Sequence, residues 1–150
     1  MNYHNSVMLK ECINGLNIKP NGVYVDATFG GGGHSQAILN NLSDGMLYSF
    51  DQDIDAHQNI LSDKRFKFIK SNFRYIKKFL KIEGIKKIDG LLADLGVSSH
   101  QIDSPKRGFS IRFNEKIDMR MNLEMSQSAV TILNEYSKEK LSEMFRRYGE

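Results

Sequence analysis

The densest chemistry in the sequence is the run Asp26-Ala27-Thr28-Phe29-Gly30-Gly31-Gly32-Gly33-His34. Four consecutive glycines between an apolar stretch and a helical pattern remove every Cβ from the turn. A ligand can then approach the backbone closely, with helix N-terminal amides directed at it. The run does not end in Gly-Lys-Ser/Thr, because Gly33 is followed by His34 and Ser35, so a Walker-type phosphate loop is excluded. Read as G-x-G-x-x-G/A, the final position falls on Ser35 or Gln36, a poor dinucleotide fingerprint. Asp26 precedes the glycines, and a carboxylate there is better tolerated by a sulfonium zwitterion than by a pyrophosphate.

Further acids and an aromatic fall at comparable places. Asp51 closes a second apolar run 21 residues after Gly30, where an acid can accept hydrogen bonds from both hydroxyls of a ribose. That property serves S-adenosylmethionine and NAD alike. Asp53 competes for the role, and Asp51 is favoured because it directly follows the apolar run. Asp94 follows Leu91-Leu92-Ala93, where an unpartnered buried acid would be costly, so a functional partner is expected. Phe73 could lie against an adenine ring or simply fill the core. His34 suits a hydrogen bond or a helix start. No Cys/His/Asp grouping has metal-ligand spacing, so no metal is expected.

The elements that must carry these residues alternate. Ser6 to Leu16 has helical spacing, Val23 to Val25 is strand-like, and Ala37 to Leu42 is helical. Met46 to Phe50 forms a second strand ending at Asp51, followed by a helical stretch over Ile54 to Leu61. Phe66 to Ile69 is a third strand, Arg74 to Leu80 a helix, and Leu91 to Leu95 a fully buried fourth strand. This rhythm predicts an α/β fold with a parallel sheet and right-handed crossovers. From 97 to 122 a long loop is expected, then helices over Ala129 to Asn134 and Lys138 to Arg146. Four strands are few for a doubly wound sheet, so a part of a longer protein is expected.

Composition sets the class. Of 150 residues, 40% are hydrophobic and 26% charged, an ordinary globular balance. No apolar run approaches a bilayer span, and Met1 to Lys10 lacks a secretory pattern. Cys12 is the only cysteine, which suits a reducing compartment, so a cytoplasmic location is expected. The net charge of +3 is small, yet Lys64 to Lys87 holds ten basic side chains against the single acid Glu83. Such a block either attracts a polyphosphate backbone or forms a solvated helix face.

Several linked strings make the reading specific. They are His4-Asn5-Ser6-Val7-Met8-Leu9, Tyr24 through Ser35, Asp89 through Ser99, Gln101-Ile102-Asp103, Arg107-Gly108-Phe109-Ser110, Asp118-Met119-Arg120-Met121 and Tyr148-Gly149-Glu150. Together, and in order over essentially the whole chain, they resemble the bacterial 16S rRNA cytosine-N4 methyltransferase family, RsmH or MraW. The resemblance implies a Rossmann-like S-adenosylmethionine-dependent methyltransferase fold over 1–97. Residues 98–150 would then open an inserted helical domain for RNA recognition. It implies methyl transfer from S-adenosylmethionine to N4 of a P-site cytidine, with 16S rRNA or the small ribosomal subunit as partner. The family's cofactor contacts carry over to Gly32, Gly33, His34, Asp51, Phe73, Asp94 and Gln101, of which Gln101 rests on the resemblance alone. Family members are about twice as long. Within the strings, His100 stands where proline is usual, and the loop is glycine throughout where relatives often carry alanine.

The place where DNA amino-methyltransferases carry Asp/Asn-Pro-Pro-Tyr is held here by Asp94-Leu95-Gly96-Val97. Asp94, with carbonyls of Leu95 to Ser98, is therefore the expected acceptor for the amine hydrogens and the expected catalytic residue. Phe109 could support an unstacked base, and Arg107, Arg112 and Arg120 are either phosphate contacts or ion pairs. Two other readings stay open, an NAD-linked oxidoreductase and a non-catalytic RNA-binding fragment. No membrane partner is expected, and the oligomeric state, a homodimer included, is left open.

Overall fold

Strand and helix alternate because the apolar period alternates, and the computed structural model, which describes residues 6–149, realises that alternation as a parallel sheet. The elements are α1 (Leu9–Leu16), β1 (Val23–Asp26), α2 (Gly33–Asn40), β2 (Met46–Asp51), β3 (Phe66–Lys70), α3 (Ile76–Ile82) and β4 (Gly90–Leu92). Beyond them lie α4 (Ser99–Asp103), α5 (Ala129–Glu135) and α6 (Lys138–Tyr148). The chain divides into two compact units at Gly96/Val97. His4, Asn5 and Glu150 of the quoted strings lie outside the described residues.

In the first unit the sheet order is β3-β2-β1-β4, all parallel. The chain builds outward from β1 through β2 to β3, then returns to place β4 on the other side of β1. That reversal makes the carboxyl end of β1 a topological switch point, where an open α/β sheet leaves a crevice. Alternate residues serve opposite faces. Tyr24, Leu47 and Phe66 stand in register and pack with Ile13 and Leu16 of α1 and Ile38 and Leu39 of α2. Val25, Tyr48, Phe50 and Ile69 pack on the other face with Ile76, Phe79 and Leu80 of α3. Three layers result, with the functional loops at the strand ends.

Four expectations need correction. α1 begins at Leu9 because Met8 takes a left-handed backbone, φ 50°. The stretch after β2 is a 3-10 turn, Ile54–Asn59, capped by the Asp53 side chain, which accepts from the Asp55 amide at 3.1 Å. β4 covers only Gly90–Leu92, and Leu91 and Leu95 are exposed, because β4 pairs on one side only among the described residues. The expected loop from 97 to 122 contains α4 and a 3-10 turn, Pro105–Arg107.

The second unit is tied internally. Arg107 is buried and donates to the Arg120 carbonyl at 2.9 Å. Arg120 pairs with Asp118 at 2.7 Å and donates to the carbonyls of Leu123 and Met125. Arg112 pairs with Asp103 at 2.5 Å. All three arginines are thus engaged in holding their own segment. Phe109 is half-buried, its ring 6.0 Å from the Arg107 guanidinium carbon. Ser128 and Ser137 cap α5 and α6 by accepting from the amides of Thr131 and Lys140.

Candidate functional site

Gly30 to His34 runs from the end of β1 into the first turn of α2. Gly30 and Gly32 have φ of 50° and 78°, in the left-handed region that other residues enter only at a cost. The peptide on each side of Gly30 is held. Its amide donates to Asp51 Oδ2 at 2.8 Å, and its carbonyl accepts from Asn59 Nδ2 at 3.0 Å. α2 opens on Gly32 with no side-chain cap. The first-turn amides of Gly33, His34 and Ser35 therefore have no intrahelical partner and suit an anionic ligand group.

A methyl group at position 32 would lie 3.1 Å from the Phe29 ring as well as forcing the left-handed backbone. Gly32→Ala should cost about 1–2 kcal/mol of stability. Gly15→Ala, inside α1 with nothing within 4 Å of the new methyl, should be neutral or stabilising. Thermal melts of the two variants check the contrast.

Asp51 ends β2 beside this loop and is half-buried. Its other oxygen, Oδ1, accepts from the Asp53 amide at 2.9 Å. Each oxygen keeps a further lone pair, so the carboxylate can brace the loop and still accept two hydroxyl hydrogens. Asp53 is spent as a cap, which leaves Asp51 as the better-placed acid. Burial pushes the Asp51 carboxyl above its ordinary range, and the amides of Asp53, Gly30 and Gln52 offset this only in part.

Asp26 corrects the sequence reading. It is withdrawn from solvent entirely, and both oxygens are used within the fold. Oδ1 accepts from the Thr28 amide at 3.0 Å, and Oδ2 from the Ser35 hydroxyl at 2.7 Å. Ser35 Oγ also lies 2.7 Å from Ser49 Oγ, so one buried chain joins β1, α2 and β2. Burial raises the Asp26 carboxyl as well. Asp26 locks the loop and does not flank a ligand, so it gives no discrimination between a sulfonium and a pyrophosphate. Sequence reasoning missed Ser35, Ser49, Thr28 and Asn59 as supports, and only tertiary contact identifies them.

The two raised carboxyls give a signed pH dependence. An acid whose folded pKa lies above its unfolded one favours the folded state as pH falls through the interval between them. Stability should therefore rise as pH drops from neutrality into that interval, until carboxylates held low, such as Asp63 at about 2 beside Arg65, protonate further down. Affinity for a ribose held by ionised Asp51 would move the opposite way. Denaturant titrations and ligand titrations over one pH series check both signs, and Asp51→Asn should flatten the ligand profile.

The other expected residues divide. His34 is buried, and its Nε2 lies 3.0 Å from the Val7 carbonyl, tying the N-terminal segment to α2. Phe73 stands just past β3 and is 44% exposed, so it is not plain core. The Ser71 amide donates to the Asp51 carbonyl at 2.9 Å, which sets that segment beside the end of β2. Asp94 lies two residues past β4 and is exposed, so the expected cost of a buried acid does not apply. Its amide donates to Thr28 Oγ1 at 2.7 Å, and its carboxylate meets no partner among the described residues. Loop, Asp51, Phe73 and Asp94 thus gather at the carboxyl ends of the four strands. Gln101 belongs to the second unit, where it is buried and completes a capping box with Ser98. Its Nε2 lies 3.4 Å from Met121 Sδ. The Ser98-x-x-Gln101 spacing is a sequence signal for that helix start.

Among the described residues no group of three or more His, Cys, Asp or Glu could hold a metal ion, and no helix is long and apolar enough to cross a membrane.

Comparison with known proteins matches the chain to a family. The model of the MraW methylase family matches residues 1–150. The chain is 60% identical over 144 residues to ribosomal RNA small subunit methyltransferase H of Flavobacterium psychrophilum, covering 95% of this chain and 50% of that protein. Proteins of the same name from Christiangramia forsetii and Phocaeicola vulgatus are 56% and 55% identical, covering 100% and 99% of this chain and 50% and 49% of theirs. The chain spans about half the length of the curated relatives it matches. Matched from first residue to last by that model, and more than half identical to these relatives, the chain belongs to the MraW methylase family.

Proposed function

We propose that the first unit binds S-adenosylmethionine, and that the protein methylates 16S rRNA of the small ribosomal subunit at N4 of a P-site cytidine, in the cytoplasm. Residues 1–97 form the cofactor domain in this reading, and 98–150 begin a helical RNA-recognition domain. The observation that carries it is Asp51 bonded to the Gly30 amide at 2.8 Å, beside an uncapped helix start at the switch point of the sheet. Together they offer a ribose acceptor, a glycine turn and first-turn amides without intrahelical partners within one crevice.

The residues fit the cofactor group by group. Asp51 would accept the ribose hydroxyls, the amides of Gly33 and His34 would hold the ligand carboxylate, and exposed Phe73 would lie against the adenine. Gln101 is carried by family resemblance. When bound, the cofactor supplies an electrophilic methyl carbon on a sulfonium. The protein's part is placement, since in-line transfer needs alignment more than acid–base power. A cytosine amine is a weak nucleophile because its lone pair is delocalised into the ring. Asp94, with its backbone held by Thr28 and its carboxylate free, would accept an amine hydrogen and localise that pair. Asp94 or water would take up the surplus proton of the methylated amine.

Isothermal titration tests the cofactor assignment. S-adenosylmethionine and S-adenosylhomocysteine should bind and NAD should not. Tight NAD binding, or no adenosyl ligand bound at all, would overturn it. Mass spectrometry of small-subunit RNA after incubation with enzyme and cofactor locates the methyl, which should fall on one cytidine amine.

A further inference from the structure

Ten of the chain's basic side chains lie between Lys64 and Lys87 against one acid, so the remainder of a chain with net charge +3 carries a net −6. Solubilising surfaces usually intersperse the two signs, whereas this one segregates them. Three of the ten are engaged within the fold. Arg65 pairs with Asp63 and reaches the Leu42 carbonyl, Lys67 pairs with Glu83 at 2.7 Å, and Lys70 is held as well. The other seven, Lys64, Arg74, Lys77, Lys78, Lys81, Lys86 and Lys87, are exposed and form no ion pair among the described residues.

From Arg74 on they follow the crossover from β3 through α3 to β4. Arg74 sits in the 3-10 turn after β3, next to Phe73 at the rim of the crevice. Lys77, Lys78 and Lys81 occupy the outer face of α3, whose Ile76, Phe79 and Leu80 turn inward to the sheet. Lys86 and Lys87 continue along the connection to β4, at the opposite edge of the sheet. Tyr75, 48% exposed, interrupts the cations with an aromatic face. Free cations in a row with an exposed ring describe a track for a single-stranded polyanion with stackable bases.

We infer that the outer face of α3, from Arg74 to Lys87, binds the phosphate backbone of single-stranded RNA running away from the crevice. The inference rests on the RNA-methylation reading above, and it favours RNA over an anionic membrane. A base entering the crevice leaves its own backbone at the rim, where Arg74 stands, and a lipid surface has no such reason to begin there.

The test compares K77Q/K78Q/K81Q with K10Q/K19Q/K64Q, which removes the same charge from exposed lysines of the first unit outside the Arg74–Lys87 face. Binding of a fluorescent single-stranded oligoribonucleotide is followed by anisotropy across a salt series, and S-adenosylhomocysteine is titrated into each protein. The α3 variant should bind RNA on the order of 10- to 100-fold more weakly, with a salt slope reduced by about 2, while retaining the cofactor analogue. The control should bind as the parent does. Equal losses in both variants, or none in either, would overturn the inference. Capture by phosphatidylserine vesicles with no RNA binding would overturn it too. Failure of the parent protein to bind the cofactor analogue would instead bring down the methylation reading on which the inference stands.

Discussion

Replacing Asp51 with alanine should weaken S-adenosylhomocysteine binding by about 100- to 1,000-fold, the equivalent of two hydrogen bonds to a charged acceptor at about 1.5–3 kcal/mol each, less what solvent restores. Two losses combine. The ribose hydroxyls lose their acceptor, and the Gly30 amide loses the partner that fixes the glycine turn. Asp53→Ala separates these from general damage. It removes the cap on the Ile54–Asn59 turn and should cost about 1 kcal/mol of stability, with affinity changed by less than tenfold. Titration calorimetry of both variants decides which acid holds the sugar. A large loss at position 53 with none at 51 would reverse the assignment.

Asp94→Ala produces the second large effect, and on a different quantity. Turnover should fall by about 100- to 10,000-fold, the range for removing a positioned proton acceptor, while S-adenosylhomocysteine affinity falls by about tenfold at most, the loss of one cofactor contact. The split is expected because the side chain is exposed and only its amide is tied to the first unit's frame, through Thr28. Asp94→Asn keeps an oxygen that can accept an amine hydrogen but cannot take up a proton, so it should retain more activity than the alanine variant. Methylation of small-subunit RNA is measured with this chain and, in parallel, with its full-length Flavobacterium psychrophilum relative carrying the equivalent substitutions. Unchanged turnover in the alanine variant of the relative would remove Asp94 from the chemistry.

The parts of this site legible in the sequence were those set by local rules. The apolar run Met46 to Phe50 had to be a strand, and its terminal acid had to stand at the strand's carboxyl end. The four glycines had to make a turn that a ligand can approach. What could not be read locally was which way a side chain would point. Asp26 looks the same in sequence as Asp51, each an acid closing an apolar run. Only the packing of Ser35 and Ser49 turns Asp26 inward, while the Gly30 amide holds Asp51 at the crevice. His34 likewise owes its place to Val7, 27 residues earlier.

The misread boundaries have similar causes. α2 begins inside the glycine run at Gly33, although propensity disfavours glycine in a helix, because the packing of Ile38 and Leu39 against the sheet outweighs that preference. Leu91 to Leu95 reads as a buried strand from its composition alone, but burial needs a neighbour on both sides, and β4 has one among the described residues. The start of α4 was written locally in Ser98 and Gln101, a reciprocal cap that composition-based reading of a polar stretch passes over.

The proposed function requires an adenosyl ligand resting on the glycine turn with its sugar on Asp51. A crystal structure of the chain soaked with S-adenosylhomocysteine measures this directly. The ribose hydroxyls should lie within hydrogen-bond distance of the Asp51 carboxylate, and the ligand carboxylate against the amides of Gly33 and His34. Ligand density away from this crevice, with Asp51 facing only solvent and the Gly30 amide, would contradict it.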